Sequence, residues 1–202
     1  GEGSMNTCPQ QPDDDEALLE RAAGGDQQAV GLLLSRYRER LRQMIAPRID
    51  PAIHPRVDAS DVVQETLIEA ARRLLGAPYL AIGEVVEGDR RGRTIGFPTA
   101  NLDLPVDKAL PIGVFAVQVD TPDGRYGGMA NVGPRPSFPD GAPRLEAHLF
   151  EFDGDLYGQR LAVRFLQRLR GQRRFDGLDD LVAQLRADRA AARAALDADA
   201  AR

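Results

Sequence analysis

Apolar residues recur along this chain with two different periods, and the change of period divides it. From Asp13 to about Leu75 the spacing is helical. A first helix starts on the acidic run Asp13, Asp14, Asp15 and Glu16, where negative charge meets the positive end of the helix dipole. Gly24 and Gly25 break it, and Asp26 is placed to cap a second helix running to Met44. Val30, Leu33, Leu34, Tyr37, Leu41 and Met44 return at three- and four-residue intervals and predict a one-sided apolar stripe. Arg36, Arg38, Arg40 and Arg42 occupy much of the remaining surface. After the proline-rich loop at 46–57, Ser60 caps a predicted third helix over 61–75 with Val62, Val63, Thr66, Leu67, Ala70 and Ala71 inward.

Beyond Leu75 the period falls to two. Gly76, Pro78, Gly83, Gly88, Gly92 and Gly96 punctuate short alternating runs, and strands are predicted near 79–87, 97–104, 112–120, 125–133, 144–152 and 160–169. Turn signals fall at Pro122–Asp123–Gly124, Pro139–Asp140–Gly141 and Asp153–Gly154–Asp155. Strands so spaced, with no helices between them, predict an antiparallel barrel or sandwich. A last helix follows at about 178–196. The organisation expected is a disordered leader at 1–12, a helical segment at 13–75 and a β-rich unit with a helical tail at 76–202.

Composition narrows the chemistry. The 202 residues are 43% hydrophobic, enough for a core, and the net charge of −5 speaks against a protein that coats nucleic acid by charge. No apolar run approaches the roughly 20 residues of a membrane helix, and no signal peptide opens the chain, so a soluble, cytoplasmic protein is expected. Cys8 is alone and His54 and His148 are the only imidazoles, which excludes an internal disulfide and a structural zinc site. Lys108 is the only lysine and follows no glycine-rich loop, so there is no Walker-type phosphate loop. Carboxylates, hydroxyls, amides, arginines and backbone remain.

Two stretches concentrate those groups. In G-D-R-R-G-R-T-I-G-F-P-T-A-N-L, residues 88–102, Gly88, Gly92 and Gly96 lie four apart, which lets backbone N–H groups approach an anion, with Arg90, Arg91 and Arg93 beside them. A strand here puts Thr99 and Asn101 on one face, a hydroxyl and an amide oxygen of the hard type that Mg²⁺ accepts. The plain alternative is a glycine-rich hairpin with a polar edge. In R-L-E-A-H-L-F-E-F, residues 144–152, Leu145, Ala147 and Leu149 take one face and Glu146, His148, Phe150 and Phe152 the other. That second face is either a solvated exterior or a carboxylate beside a planar ligand, and His148 on it reads as structural. Arg135, in the proline-locked N-V-G-P-R-P-S-F, is a surface arginine or a ligand contact.

These motifs, with G-V-F-A-V, L-E-A-H-L-F-E-F-D-G-D-L-Y-G and F-L-x-R-L-R-x-x-R-x-F-D-x-L, occur in the order in which the riboflavin kinase module of bacterial bifunctional riboflavin kinase/FAD synthetases carries them, and residues 76–190 resemble that module. The resemblance implies an α+β chain with a six-stranded antiparallel barrel and a C-terminal helix, transferring the ATP γ-phosphate to the riboflavin 5′-hydroxyl to give FMN. It implies that Thr99 and Asn101 hold Mg²⁺ and ATP phosphates, and that the loop of Gly88, Gly92, Arg93, Thr94, Gly96 and Pro98 covers the nucleotide. Glu146 is then the base for the ribityl hydroxyl, and Arg135 and Phe175 lie toward the flavin. A-L-P-I-G-V-F, one residue shorter than the usual pattern, shifts a loop near the flavin. With no FAD synthetase segment in the sequence, FMN is the expected end product.

Residues 16–73 resemble the start of region 2 of extracytoplasmic-function sigma factors, through A-L-L-E-R-A-A-G-G-D-Q-Q-A-V and D-A-S-D-V-V-Q-E-T-L-I-E-A-A-R-R-L. That resemblance implies docking on the RNA polymerase core through the Asp61–Thr66 helix. Promoter reading is not expected, because the chain has no Trp and no stacking platform after Leu75 to hold a melted strand. The rival to a flavokinase is a binding module for flavin or nucleotide, without turnover, joined to polymerase-docking helices. A barrel that binds nucleic acid is disfavoured by the acidic composition.

Overall fold

The computed structural model describes residues 12–45, 66, 70, 72–73, 77–88, 91–104, 110–133 and 144–201. Residues 1–11 of the expected leader, most of the predicted third helix, Ala109 at the head of the shortened stretch before Gly113, and Arg135 lie outside the described residues, whereas Pro12, read as part of the leader, already opens the first helix.

Helices α1 (Pro12–Ala23) and α2 (Gln27–Ile45) form a hairpin broken where the paired glycines predict. Asp26 caps α2: its Oδ1 accepts the N–H groups of Gln28 at 2.9 Å and Ala29 at 3.1 Å, and these bonds and Arg21 hold its carboxyl below the usual carboxylate range. The stripe of Ala29, Val30, Leu33 and Leu34 is buried with Leu18 and Ala22, and it joins one apolar cluster with Tyr79, Leu104 and Leu110 of the β unit. Gln27 Oε1 accepts the N–H of Leu80 at 3.1 Å, and Arg38 Nη2 donates to the Leu110 carbonyl at 2.9 Å. The hairpin therefore packs against the end of the first strand that begins at Tyr79.

Six strands follow: β1 (Tyr79–Val86), β2 (Ala100–Asp103), β3 (Gly113–Thr121), β4 (Gly124–Gly133), β5 (Arg144–Leu149) and β6 (Arg160–Arg170). They close into a barrel in the order β1-β2-β5-β4-β3-β6, every pair antiparallel. Closure decides between the barrel and the sandwich that alternation alone allowed, and it removes every free strand edge. Inward residues such as Phe115, Val117, Leu145, Leu161 and Phe165 are fully or almost fully buried, with Phe115 and Phe165 meeting edge to face at 5.2 Å.

The chain also builds a second layer outside the barrel. After β6, helix α4 (Leu178–Ala200) lies on β3, β4 and β6, and its Ala192 and Ala195 pack with Ala116, Met129, Phe97 and Phe150. Alanine on the helix permits this close approach. Arg170 on β6 and Asp188 on α4 pin the layer through a paired contact at 2.7 Å, and Arg72 reaches Asp199 at 3.0 Å. Among the described residues no helix is long and apolar enough to cross a membrane.

Two expected strands are shorter than their patterns. β2 begins at Ala100 rather than 97, because Phe97 leaves the alternation to enter the outer apolar layer. β5 ends at Leu149, because Glu151 adopts a positive φ of 53° and turns the chain. Phe152 consequently leaves the Glu146 face, where the pattern put it, and packs edge to face on Tyr126 at 5.1 Å beside the main core.

Candidate active site

The loop that carries Pro98, Thr99 and Asn101 is shaped locally. Arg91–Thr94 forms a single helical turn, α3, and the Gly92 carbonyl accepts the N–H groups of Ile95 at 3.2 Å and Phe97 at 2.8 Å. The Phe97 carbonyl comes so near Gly92 that a Cβ there would stand 2.1 Å from its oxygen, so only glycine closes this turn. Gly92→Ala should open the loop and shift Pro98 and Thr99, and turnover that depends on their placement should fall about 10²-fold, the scale of an ångström-sized displacement.

His148 holds the other end of the loop. It is buried on the outward face of β5, between the rings of Phe97 and Phe150, and its Nδ1–H donates to the Pro98 carbonyl at 2.7 Å. Burial depresses its pKa below the ordinary histidine value. The structural role read from the sequence is what the packing shows.

Asn101 follows on β2, 7% exposed, and its backbone neighbours are Val86 of β1 and Glu146 of β5. Glu146 is in turn paired with Asn131 of β4, so amide, carboxylate and amide form a row across three strands. Arg144, two residues before Glu146 and on the same face, donates from Nε to Asn101 Oδ1 at 2.8 Å and lies 2.9 Å from Glu146 Oε1.

Two cavities adjoin this row. One, of about 460 Å³, is lined by Gly92, Arg93, Pro98, Thr99 and Asn101 on one side and by Phe152, Asp153 and Tyr157 on the other. The second, of about 300 Å³, lies under α4 and is lined by Glu146, Asn131, His148, Gln172, Arg173 and Phe175. Gly92 and Thr99 border both, so the loop is the wall the cavities share. Arg170 and Arg173 stand over the Phe175 ring at 5.7 and 5.5 Å.

Most predicted site residues are thus gathered around one loop. Gly88 packs against the Asn101 side chain, whereas Thr94 and Gly96 sit on the exposed turn and line neither cavity. Thr99 precedes β2 and is exposed while Asn101 is buried, so they meet at a cavity wall rather than on one strand face. Sequence reasoning did not single out Arg144, Asn131, Gln172 or the Arg170–Asp188 pair. Their signal was weak, since each gains its partner only through pairing between distant segments. Among the described residues no three His, Cys, Asp or Glu side chains cluster to hold a metal.

Fold and site together describe a β-barrel protein with two adjoining small-molecule cavities divided by a glycine-tightened loop. Over residues 75–196 the chain matches the family described as Flavokinase: Riboflavin kinase, and it belongs to that family. It is 44% identical over 127 residues to the bifunctional riboflavin kinase/FMN adenylyltransferase of Pseudomonas fluorescens, covering 62% of this chain and 41% of that one. To the enzyme of the same description from Bacillus subtilis (strain 168) it is 39% identical over 126 residues, covering 60% and 40%. Among solved structures it is similar, with a TM-score of 0.59 and 38% identity, to one described as a macrolide-efflux protein from Streptococcus pneumoniae, covering 77% of this chain and 45% of that one. The chain spans about two fifths of the length of the curated relatives it matches. The family match begins at residue 75, so the sigma-type resemblance of residues 16–73 rests on its motif residues alone.

Proposed function

We propose that this chain is a riboflavin kinase that moves the γ-phosphoryl group of ATP to the 5′-hydroxyl of riboflavin, giving FMN and ADP. The observation that carries the reading is the pairing of Asn101 with Glu146 beside a loop that borders both cavities. A nucleotide in the larger cavity then presents its terminal phosphate at the loop, and a flavin in the smaller one, against Phe175, brings its alcohol to Glu146. Glu146 takes the proton from the hydroxyl, the oxygen bonds to the γ-phosphorus, and the bond from that phosphorus to the bridging oxygen breaks with its electrons leaving on ADP. Such transfer asks chiefly for positioning and for compensation of charge, which backbone amides, Arg93 and a metal can supply without a Walker lysine.

The donor chemistry fits Mg²⁺. Asn101 Oδ1 and the Thr99 hydroxyl are hard oxygens; Oδ1 already accepts from Arg144 Nε at 2.8 Å and would offer the ion its second lone pair, and Mg²⁺ bound with nucleotide keeps several waters and needs few protein ligands. When bound, the ion supplies positive charge to the phosphates. Asn101→Ala should raise the Mg²⁺ concentration needed for half-maximal activity, and an unaltered metal titration would remove Asn101 from that role.

Incubation with riboflavin and Mg·ATP tests the whole reading: FMN and ADP are expected in equal amounts, and their absence would leave the binding-module alternative. A cytoplasmic location, expected from the sequence, suits an ATP-consuming reaction. Polymerase docking gains no support, since only Thr66 of the Asp61–Thr66 stretch is described.

A further inference from the structure

The carboxylate of Glu146 has two places to go. Its strand is flanked by Asn101 on β2 and by Asn131 on β4, both directly opposite it, and a glutamate side chain turns readily between such neighbours. One of the two is already engaged, because Asn131 Oδ1 accepts Gln172 Nε2 at 2.8 Å. On the other side, the Arg144 guanidinium binds Asn101 Oδ1 and Glu146 Oε1 from the same nitrogen, at 2.8 and 2.9 Å. Its space is reserved: a Cβ on Gly88 would stand 2.6 Å from Arg144 Nη2 and 2.1 Å from Asn101 Nδ2. Gly88, expected from the sequence to belong to the loop over the nucleotide, leaves room for the arginine and the amide.

We propose that Arg144 is a positioning residue that turns the Glu146 carboxylate toward Asn101, and so toward the phosphate side of the site. This rests on the reading of Glu146 as the base. Arg144 donates a charge-assisted hydrogen bond from Nε to Asn101 and forms an ion pair with Glu146, and so it holds the two in register before either substrate arrives. Without it the carboxylate samples the Asn131 side as well, and the alcohol meets a correctly aimed base only part of the time. Lysine cannot replace it fully, since a point charge on a flexible stem is not fixed between the two acceptors as the Nε of a planar guanidinium is.

The test is steady-state kinetics on Arg144→Met, Arg144→Lys, Glu146→Gln and the double variant Arg144→Met/Glu146→Gln. Arg144→Met should lower kcat by about 10- to 100-fold with the KM values for riboflavin and ATP nearly unchanged, as expected when orientation rather than binding is lost. Arg144→Lys should recover part of it. In the Glu146→Gln background, adding Arg144→Met should change kcat by less than about threefold, because the two act as a unit. Wild-type kcat in Arg144→Met, or losses that multiply in the double variant, would overturn the proposal. A Glu146→Gln enzyme with full turnover would instead remove the base on which it rests, and the single variants distinguish these two failures.

Discussion

Replacing Glu146 by glutamine is expected to lower kcat by about 10²–10⁴-fold while ATP still binds. The substitution keeps size and much of the hydrogen-bonding capacity, but removes the ability to take a proton and the charge that pairs with Arg144. Glu146 is half-buried on β5 and pairs with Asn101 across the barrel wall, so its surroundings tolerate an amide. General-base assistance accounts for the predicted range, and the remainder of the acceleration comes from holding alcohol and phosphate together, which the variant retains. Turnover measured under saturating riboflavin and Mg·ATP, with nucleotide affinity measured by calorimetry, separates the two contributions. Full turnover would exclude Glu146 from the proton transfer. A parallel loss of nucleotide affinity would show that the carboxylate shapes the phosphate site instead.

The second large effect is on stability. Asp188 of α4 has a side chain only 4% exposed and accepts hydrogen bonds from Arg170 Nε at 3.0 Å, Arg170 Nη2 at 2.7 Å and Gln184 Nε2 at 2.9 Å. Asp188→Ala leaves the Arg170 guanidinium in a largely enclosed position with no carboxylate, a change that costs about 3–5 kcal/mol when one member of a buried pair is removed. Urea unfolding should show a lower midpoint with an unchanged slope. Because replacing both members by apolar groups spares the stranded charge, the double variant Arg170→Met/Asp188→Leu should be more stable than Asp188→Ala. Both side chains line the smaller cavity, so Asp188→Ala should also raise the KM for riboflavin more than that for ATP. A stability loss below about 1 kcal/mol, the range of an exposed pair, would mean that the network does not hold α4 to the barrel.

Local features were legible along the chain wherever the governing interaction is local. The Asp26 cap reaches only two and three residues ahead, and the buried stripe of Val30, Leu33 and Leu34 follows from helical periodicity. The Pro122–Asp123–Gly124 signal does mark the β3–β4 hairpin, in which Thr121 pairs with Gly124. The two faces of β5 were readable as far as Leu149. The pattern failed at Phe152 because alternation assumes extended backbone, and a positive φ at Glu151 ends it. It failed at Phe97 because an aromatic at a strand's approach can serve either the barrel core or the outer layer, and only α4 defines that layer.

The candidate site shows the same division. Thr99, Asn101 and Glu146 could be named from motif resemblance, but nothing along the chain places residue 101 beside residue 146. That adjacency comes from strand order, with β2 next to β5 and β1 closing on β6. Arg144 acquires a role only because Asn101 lies across from its neighbour, and Arg170 only because α4 returns over β6.

What the amino-acid order determined by itself was the set of elements, their caps and turns, and the chemical groups available, since backbone preference and side-chain period act over a few residues. Barrel closure, the helical layer outside it and the meeting of amide, carboxylate and guanidinium were decided by tertiary structure. Those depend on which distant surfaces exclude water from one another most completely, and that is a property of the whole packed chain rather than of any segment of it.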